Sequence, residues 1–384
     1  MKKQILLATA AVLVSGSVFA TKARQQALGQ AADGSWLLDD TRNVFYNAAS
    51  LNGMKDYVVI ESGVVGALDT EAAPAAEGGF FRSHGDLSYG AYMGRTGADN
   101  LAADYATEAG AATATHAVGG TVQAAGDQLD LFIAGDMGVE WGARLSYSSA
   151  SDEKQAAHEL KRSALGLGLG MAMGDLSTSL NLDVSDKTEG SVTDANTTWE
   201  ADLGIDLNVD YRMNGNTFHV GYDKSGFENT LAGTLEAEGS YSVVELGWGR
   251  VMEVSSTSRW FTQAEYRMTT REVTDKNGGT DTSETKSSSL PVTIGFESDA
   301  TSWLTLRGSF SQNVLIGSTE TETTGATNNG KSDSTVDTTA VNLGATLNFG
   351  KLMVDGVIGT SGTTNTGRLN LDQVMTRVGV HYWF

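Results

Sequence analysis

The chain of 384 residues has no cysteine and only two prolines, Pro74 and Pro291. Without cysteine, no disulfide framework can hold the fold together. The apolar stretch from Ile5 to Val14 is too short to cross a membrane as a helix, and no later stretch approaches the required length. These absences exclude a disulfide-rich scaffold and a helical membrane protein. The shortage of proline leaves long stretches that can pair as strands.

Positive charge is also scarce. The 26 Lys and Arg residues face 47 Asp and Glu residues, and the formal net charge is −21. Such an acidic chain is a poor partner for nucleic acid or for anionic lipid surfaces. We therefore expect no nucleic-acid partner, and we expect cations, neutral solutes or lipid tails as partners.

The first residues have the pattern of a secretory signal peptide. Lys2 and Lys3 form a basic start, the apolar stretch follows, and Val18 and Ala20 occupy the two positions that select a cleavage site. The sequence therefore predicts a signal peptide over residues 1–20 and a mature chain that begins at Thr21. An exported protein without disulfides can gain stability by closing a sheet on itself, which removes the sheet edges.

The C-terminal stretch, residues 376–384, alternates between apolar and polar side chains. One face carries Val378, Val380, Tyr382 and Phe384. The other face carries Arg377, Gly379 and His381, with Trp383 at its end. A strand with one apolar and one polar face fits a membrane barrel with a polar interior, although a soluble sandwich alternates in the same way. A terminal Phe on such a strand resembles the signal that the barrel assembly machinery of Gram-negative bacteria recognises. We therefore predict that Val380, Tyr382 and Phe384 form the assembly signal.

A longer alternation over residues 199–212 predicts a strand that crosses a bilayer. The apolar row comprises Trp199, Ala201, Leu203, Ile205, Leu207, Val209 and Tyr211, and is expected to face outward. The polar row comprises Glu200, Asp202, Gly204, Asp206, Asn208, Asp210 and Arg212, and is expected to face inward. This length exceeds that of most soluble strands. The carboxylates recur every fourth residue, about 13 Å apart. That spacing exceeds the Debye length at physiological salt, about 8 Å, which favours a wet interior.

The remaining strands and turns predict an all-β, transmembrane, antiparallel up-and-down β-barrel over residues 56–384. Strands are predicted at 127–135, and at 77–83 paired with 87–95. Longer polar loops, including 225–238 and 313–338, are predicted at one end. Short turns and long loops alternate, as they do in barrels of this class. The count is about 16 strands, with 14 as the alternative if the early hairpin belongs to an N-terminal plug.

The N-terminal segment carries a family resemblance. Its residues are Ala27-Leu28-Gly29, Asp39-Asp40 and Phe45-Tyr46-Asn47-Ala48-Ala49-Ser50-Leu51. This pattern resembles the start of the outer-membrane long-chain fatty-acid channels (FadL-like), although Ala48 replaces the family's usual proline. The resemblance implies that residues 21–55 fold inward as a plug, with Asp39, Asp40 and Asn47 as plug residues. Residues 77–95 also resemble major outer-membrane proteins of predatory delta-proteobacteria.

The inward positions supply the candidate site. We predict that the lumen is lined by Glu140, Arg144, Glu200, Asp202, Asp206, Asp210, Arg212, Glu265, Arg267, Arg307 and Arg377. Carboxylates in a wet lumen favour cations, although the charges could also pair with one another and with the plug. The five histidines are scattered, and no zinc or nucleophile motif is present. His158, Glu159 and Asp152 are more typical of a solvated loop than of a catalytic group. We expect no enzyme activity, metal or cofactor.

Together these features predict an outer-membrane channel of a Gram-negative bacterium for passive passage of small solutes, with a preference for cations. One alternative, implied by the resemblance, is uptake of hydrophobic molecules. Another is a structural or lipid-organising homo-oligomer without conduction, since small outward residues such as Ala143 and Ala201 could mark a subunit contact. The expected partners are outer-membrane lipid, the assembly machinery, and small solutes or hydrophobic molecules.

Overall fold

A computed structural model of the protein describes residues 21–54, 56–62, 76–95, 128–155, 158–192, 195–276, 282–324, 330–333, 339–360 and 377–384. The predicted signal peptide, residues 1–20, lies outside the described residues. No helix in the described part of the chain is long and apolar enough to cross a membrane.

The N-terminal segment contains the only helical turns of the described residues. They are α1 (Lys22–Ala27), α2 (Asn43–Tyr46) and a 3-10 helix (Ala48–Gly53). The first strands are β1 (Tyr57–Ser62), β2 (Ala76–His84), β3 (Leu87–Arg95), β4 (Gln128–Asp136), β5 (Glu140–Gln155), β6 (His158–Met173), β7 (Leu176–Val192), β8 (Ala195–Ala201) and β9 (Gly204–Met213). The later strands are β10 (Asn216–Leu231), β11 (Thr234–Ser255), β12 (Ser258–Asp275), β13 (Thr282–Thr301), β14 (Leu304–Thr323), β15 (Gly330–Asp333), β16 (Ala340–Phe349), β17 (Leu352–Thr360) and β18 (Val378–Trp383).

These segments pair in one antiparallel sheet that closes on itself. The first strand pairs with β2 on one side and with β18 on the other, where Tyr57 lies opposite Trp383. Two pairs of segments share neighbours: β8 and β9 both pair with β7 and β10, and β15 and β16 both pair with β14. Each pair counts as one interrupted strand, so the barrel has 16 strands. This confirms the predicted barrel and excludes both the soluble sandwich and the 14-strand alternative, because the β2–β3 hairpin lies in the wall.

The two faces of the wall differ as the alternation predicts. Large apolar side chains are exposed on the outside, for example Leu207, Tyr211, Leu246, Trp248 and Trp260. Polar and charged side chains alternate with them and are buried inside. A strand places successive side chains on opposite faces, so one face suits lipid and the other a polar interior. Trp383 lies on the inner face, where its ring stacks on His381 and Tyr57.

The strand over residues 199–212 contains an interruption that the sequence pattern does not reveal. Ala201 lies opposite Phe227, whereas Ile205 lies opposite Lys224, so one extra residue is inserted between β8 and β9. A one-residue slip moves the following side chains to the other face. Trp199 is therefore buried inside and Glu200 is exposed outside. The predictions of an outward Trp199 and an inward Glu200 are wrong.

The strands also extend well beyond their apolar parts. The predicted loop at 225–238 is instead a continuous hairpin of β10 and β11, whose tight turn has positive φ at Ala232 (50°) and Gly233 (80°). Likewise, β14 continues to Thr323 within the predicted loop at 313–338. These extensions carry Ser, Thr and charged residues on both faces, so hydrophobic periodicity gives no signal for them.

Candidate functional site in the barrel interior

The N-terminal segment, residues 21–54, lies against the inner face of the barrel in the half nearest the short turns. Thr21 caps α1, because its hydroxyl accepts a hydrogen bond from the backbone N–H of Arg24. Asn47 caps the 3-10 helix in the same way through the N–H of Ala49. Caps of this kind fix the ends of short helices that packing alone would leave frayed. The segment therefore has a defined shape.

The segment contacts the wall around its whole circumference. On β1 to β7 the contacts reach Glu61, Glu77, Tyr92, Phe132, Trp141, Gly170 and Ser177. On β9 to β13 they reach Asp210, His219, Gly247, Glu265 and Glu297. On β14 and β16 to β18 they reach Ser309, Gly344, Asp355 and Gly379. Every one of the 16 strands of the barrel thus touches the segment.

Glycines on the inner face make room for it. A Cβ atom added at Gly247 would lie 2.8 Å from the Trp36 ring, and one at Gly249 would lie 2.7 Å from Leu37. Similar clashes with the segment backbone would arise at Gly142 and Gly170. Because Cβ atoms essentially never approach so closely, these positions require glycine for the wall and the segment to be in contact.

Two buried arginines of the segment form ion pairs with wall carboxylates. Arg24 contacts Asp40 at 2.7 Å and Glu297 of β13 at 2.9 Å, and its side chain is fully buried. Arg42 contacts Glu61 of β1 at 2.9 Å and Glu77 of β2 at 2.6 Å. Burial acts to lower the pKa of Arg42, but its acidic neighbours raise the pKa overall, so it stays charged. A buried charge without its partner is costly, so these pairs specify where the segment sits.

A third set of contacts joins two aromatic residues of the segment to β9, β10 and β12. The Tyr46 hydroxyl donates to Asp210 at 3.0 Å. Trp36 stacks on His219, with ring centroids 5.1 Å apart, and its indole N–H donates to Glu265 at 2.8 Å. Burial raises the pKa of the Tyr46 phenol well above its ordinary value, and Asp210 adds to the effect, so the hydroxyl remains a neutral donor.

The half of the barrel farther from the short turns carries an apolar patch on its inner wall. The inner apolar patch comprises Trp199, Phe227, Ala237, Tyr241 and Val243. Trp199 and Phe227 stack with ring centroids 6.1 Å apart. The guanidinium of Arg267 donates to the Tyr241 hydroxyl at 3.4 Å. The interior therefore has an apolar patch beyond the segment, in addition to the mixed polar and apolar contacts beside it.

The predicted lumen-lining residues fall into three groups. Those on the inner face within the wall are Arg144, Asp206, Asp210, Glu265, Arg267 and Arg307. Those near strand ends are Glu140, Arg212 and Arg377. Glu200 and Asp202 are exposed, and the prediction that they form an inner row with Asp206 and Asp210 is wrong because of the inserted residue between β8 and β9.

The predicted plug and assembly residues are also placed. Asp40 is buried against Arg24, and the side chain of Asn47 donates to Ser177 at 2.9 Å. Asp39 is exposed and pairs with Arg212 at 2.8 Å. Val380 and Tyr382 lie on the outer face of β18, whereas His381 lies on its inner face. Phe384 follows β18, and its backbone N–H donates to the backbone carbonyl of Asp56.

Sequence reasoning missed the most deeply buried charges. Arg24, Arg42, Arg95 and His219 are at most 2% exposed, but no local pattern marks them as buried. Their partners are up to 273 residues away in the chain, so only closure of the barrel brings them together. Among the described residues, no group of three or more His, Cys, Asp or Glu side chains could hold a metal ion.

No protein-family model and no curated protein matches the chain. Among solved structures, a deletion mutant of the monoaromatic hydrocarbon channel TodX is 11% identical, with 94% of this chain and 98% of that chain covered and a TM-score of 0.37. A loop-deletion mutant of OmpT, an outer membrane protein of Vibrio cholerae, is 11% identical, with coverages of 86% and 97% and a TM-score of 0.36. A mutant of the Rh. blastica porin is 10% identical, with coverages of 86% and 98% and a TM-score of 0.29. Similarity this distant carries no argument about a solute.

Proposed function

We propose that the protein is an outer-membrane channel for small solutes whose lumen is closed at rest by the N-terminal segment. The observation that carries this proposal is the set of contacts between the segment and every strand of the barrel. A solute can cross only after the segment shifts, so the protein differs from an open porin. The exposed apolar residues of the wall support a membrane location. No covalent chemistry is part of the proposal.

Displacement of the segment would also uncover carboxylates of the wall. Lys22 and Arg42 belong to the segment, and their carboxylate partners Glu61 and Glu77 belong to the wall. When the segment moves, these wall carboxylates lose their cations. Carboxylates that line a water-filled path favour cations, so we infer a cation preference in the open state.

The experiment is conductance in a planar bilayer with a disulfide that ties the segment to the wall. The chain has no cysteine, so two introduced cysteines can pair only with each other. A Cβ atom at Gly29 would lie 3.4 Å from Cβ of Ser309, close to the separation of about 3.8 Å in a disulfide. Gly29 has φ of +65°, so Gly29→Cys is strained, and the reduced double variant controls for that strain. Ser309→Cys alone controls for the effect of the reductant.

We expect cation-selective conductance steps in the reduced double variant, and we expect oxidation to abolish them reversibly. The single Ser309→Cys variant should conduct equally with and without reductant. Equal conductance of the oxidised and reduced double variant would mean that the segment does not close the lumen. A correctly folded barrel that is silent when reduced would also refute the proposal, and would favour a structural or oligomeric role.

Uptake of hydrophobic molecules is a second candidate, favoured by the inner apolar patch. Five apolar side chains on the inner wall are more than a purely aqueous path needs. A hydrophobic molecule that enters from that side would meet Trp199 and Phe227 before it reaches the segment. Trp199→Ser should then reduce uptake of an apolar fluorescent probe by cells while ion conductance is unchanged. Unchanged probe uptake would remove this candidate.

A further inference from the structure

His219 occupies the position where the wall contacts two aromatic residues of the N-terminal segment. Its Nδ1 atom is 2.8 Å from Asp210 and its Nε2 atom is 3.7 Å from Glu245, and its side chain is 1% exposed. The Trp36 ring lies parallel to the imidazole, with an interplanar angle of 8°. The Tyr46 hydroxyl shares Asp210 with the imidazole.

We propose that His219 is a pH-dependent latch, which holds the segment in place when the imidazole is protonated and weakens its hold when the imidazole is neutral. The channel is then closed at acidic pH and opens more often as pH rises. This inference rests on the proposed closure of the lumen by the segment. It adds the regulation of that closure.

The two charge states of the imidazole make different contacts. A protonated imidazole donates from both nitrogens, so it can pair with Asp210 and Glu245 together. Its positive charge also lies over the Trp36 ring, which attracts cations. A neutral imidazole keeps one N–H, so a proton on Nδ1 serves Asp210 and leaves a lone pair facing Glu245. Deprotonation therefore removes the pairing with Glu245, the cation–ring attraction to Trp36 and the charge in the hydrogen bond to Asp210.

The surrounding charges set the direction of the effect. The titratable or charged groups that face this site from β9, β11, β12 and the segment are Asp206, Asp210, Glu245, Glu265, Arg267 and Tyr46. Arg267 pairs with Glu245 at 3.3 Å. Carboxylates outnumber cations, so loss of the imidazolium leaves uncompensated negative charge. The imidazole is the side chain that ordinarily changes charge between pH 5 and 8. Its stabilising contribution is therefore present at low pH and lost as pH rises.

A second inner-face histidine shows what is specific to His219. His381 stacks on Tyr57 and Trp383, which belong to the wall, and lies 3.8 Å from Asp355. Its aromatic contacts do not include the segment. Titration of His381 therefore has no direct effect on Trp36 or Tyr46.

The test measures how often the segment leaves the wall. Its reporter is a cysteine introduced at Ser309 on β14, whereas His219 lies on β10. Ser309 is 6% exposed and is covered by Gly29 of the segment. A cysteine at this position therefore reacts only when the segment moves. We would measure labelling of Ser309→Cys by a membrane-impermeant maleimide between pH 5.5 and 8. Thr257→Cys, in an exposed turn, corrects for the ordinary pH dependence of thiol reactivity.

We expect the corrected labelling rate of Ser309→Cys to rise about tenfold across this range, a typical size for coupling between sites. Adding His219→Gln should make labelling fast at every pH and remove the rise. Glu245→Gln, which keeps the shape of a side chain that is 24% exposed, should reduce the rise. His84→Gln, at the exposed end of β2, should leave it intact.

The same pH rise in the His219→Gln background would overturn the latch, and so would an unchanged rise with Glu245→Gln if His219→Gln fails to fold. The disulfide experiment separates this failure from that of the proposed function. If oxidation abolishes conductance but labelling does not depend on His219, the segment closes the lumen without this latch. If oxidation has no effect on conductance, the proposed function itself fails.

Discussion

At the scale of single residues, the interior depends on a few buried charges and on glycine. Arg24 is fully buried between Asp40 and Glu297, so a change there removes a cation from both carboxylates, although Glu297 keeps Arg259 and Arg307. Arg212 makes a similar pair with Asp39, but both side chains are more than half exposed. Both arginines form an ion pair between the segment and the wall, but the Arg24 pair is buried and the Arg212 pair is exposed to solvent.

Arg24→Met should destabilise the folded protein strongly. Removing one partner of a buried ion pair costs roughly 3–5 kcal/mol, whereas loss of an exposed pair costs about 0–1 kcal/mol. Urea titration of the refolded barrel in detergent measures both values, with Arg212→Met as the control. Equal effects of the two substitutions would contradict the burial of Arg24 inside a closed barrel.

At the scale of the element, each strand is set by its neighbours more than by its own pattern. Leu207 on β9 lies on the outer face opposite Tyr222 and Leu180, and is 42% exposed. In β8, only a few residues earlier, the odd-numbered Trp199 faces inward, because one residue is inserted between β8 and β9. The apolar alternation continues through that insertion, so the pattern alone predicts a single regular strand.

Leu207→Arg tests the lipid-facing assignment of β9. An arginine on the lipid face near the bilayer midplane costs roughly 2–4 kcal/mol, and about 0–1 kcal/mol near an interface. Met213→Arg, at the end of the same strand and 46% exposed, is the interface control. Reversible unfolding in lipid vesicles measures both. A smaller loss for Leu207→Arg than for Met213→Arg would be inconsistent with a bilayer centred on the middle of β9.

At the scale of the whole molecule, the barrel depends on the seam between its first and last strands. Ile60 lies opposite Val380 across this seam, and Phe384 continues it through a hydrogen bond of 3.1 Å to Asp56. The Arg82 guanidinium lies 5.0 Å from the Phe384 ring. The segment reinforces the same region, because Thr21 contacts Asp355 and Lys22 contacts Glu77.

Phe384→Ser should lower the amount of folded protein in the outer membrane, because it removes the terminal aromatic residue of the predicted assembly signal and its contact with Arg82. Heat-modifiability on gels reports the fraction of closed barrel. Phe349→Ser, at the exposed end of β16, is the control for loss of an aromatic side chain. Normal levels of the Phe384 variant would show that assembly does not depend on this residue.

Much of the wall could be predicted from local pattern. The strand at residues 87–95 was predicted with the bounds of β3, and the strand at 127–135 nearly with those of β4. The polar extensions of β10, β11 and β14 were not predicted, because strands with polar residues on both faces lack an apolar row. The facing of Glu200 was wrong because a one-residue insertion leaves no mark on a pattern of period two.

The sequence by itself determined that the chain forms long alternating strands with one apolar face, since the period of two is a local property of the backbone. It predicted about 16 strands, and the structure excluded the alternative of 14 by placing the β2–β3 hairpin in the wall. Only the tertiary structure decided that Arg24, Arg42 and His219 meet partners from distant strands. Those contacts exist because a sheet that closes on itself brings all its inner faces around the same 34 residues.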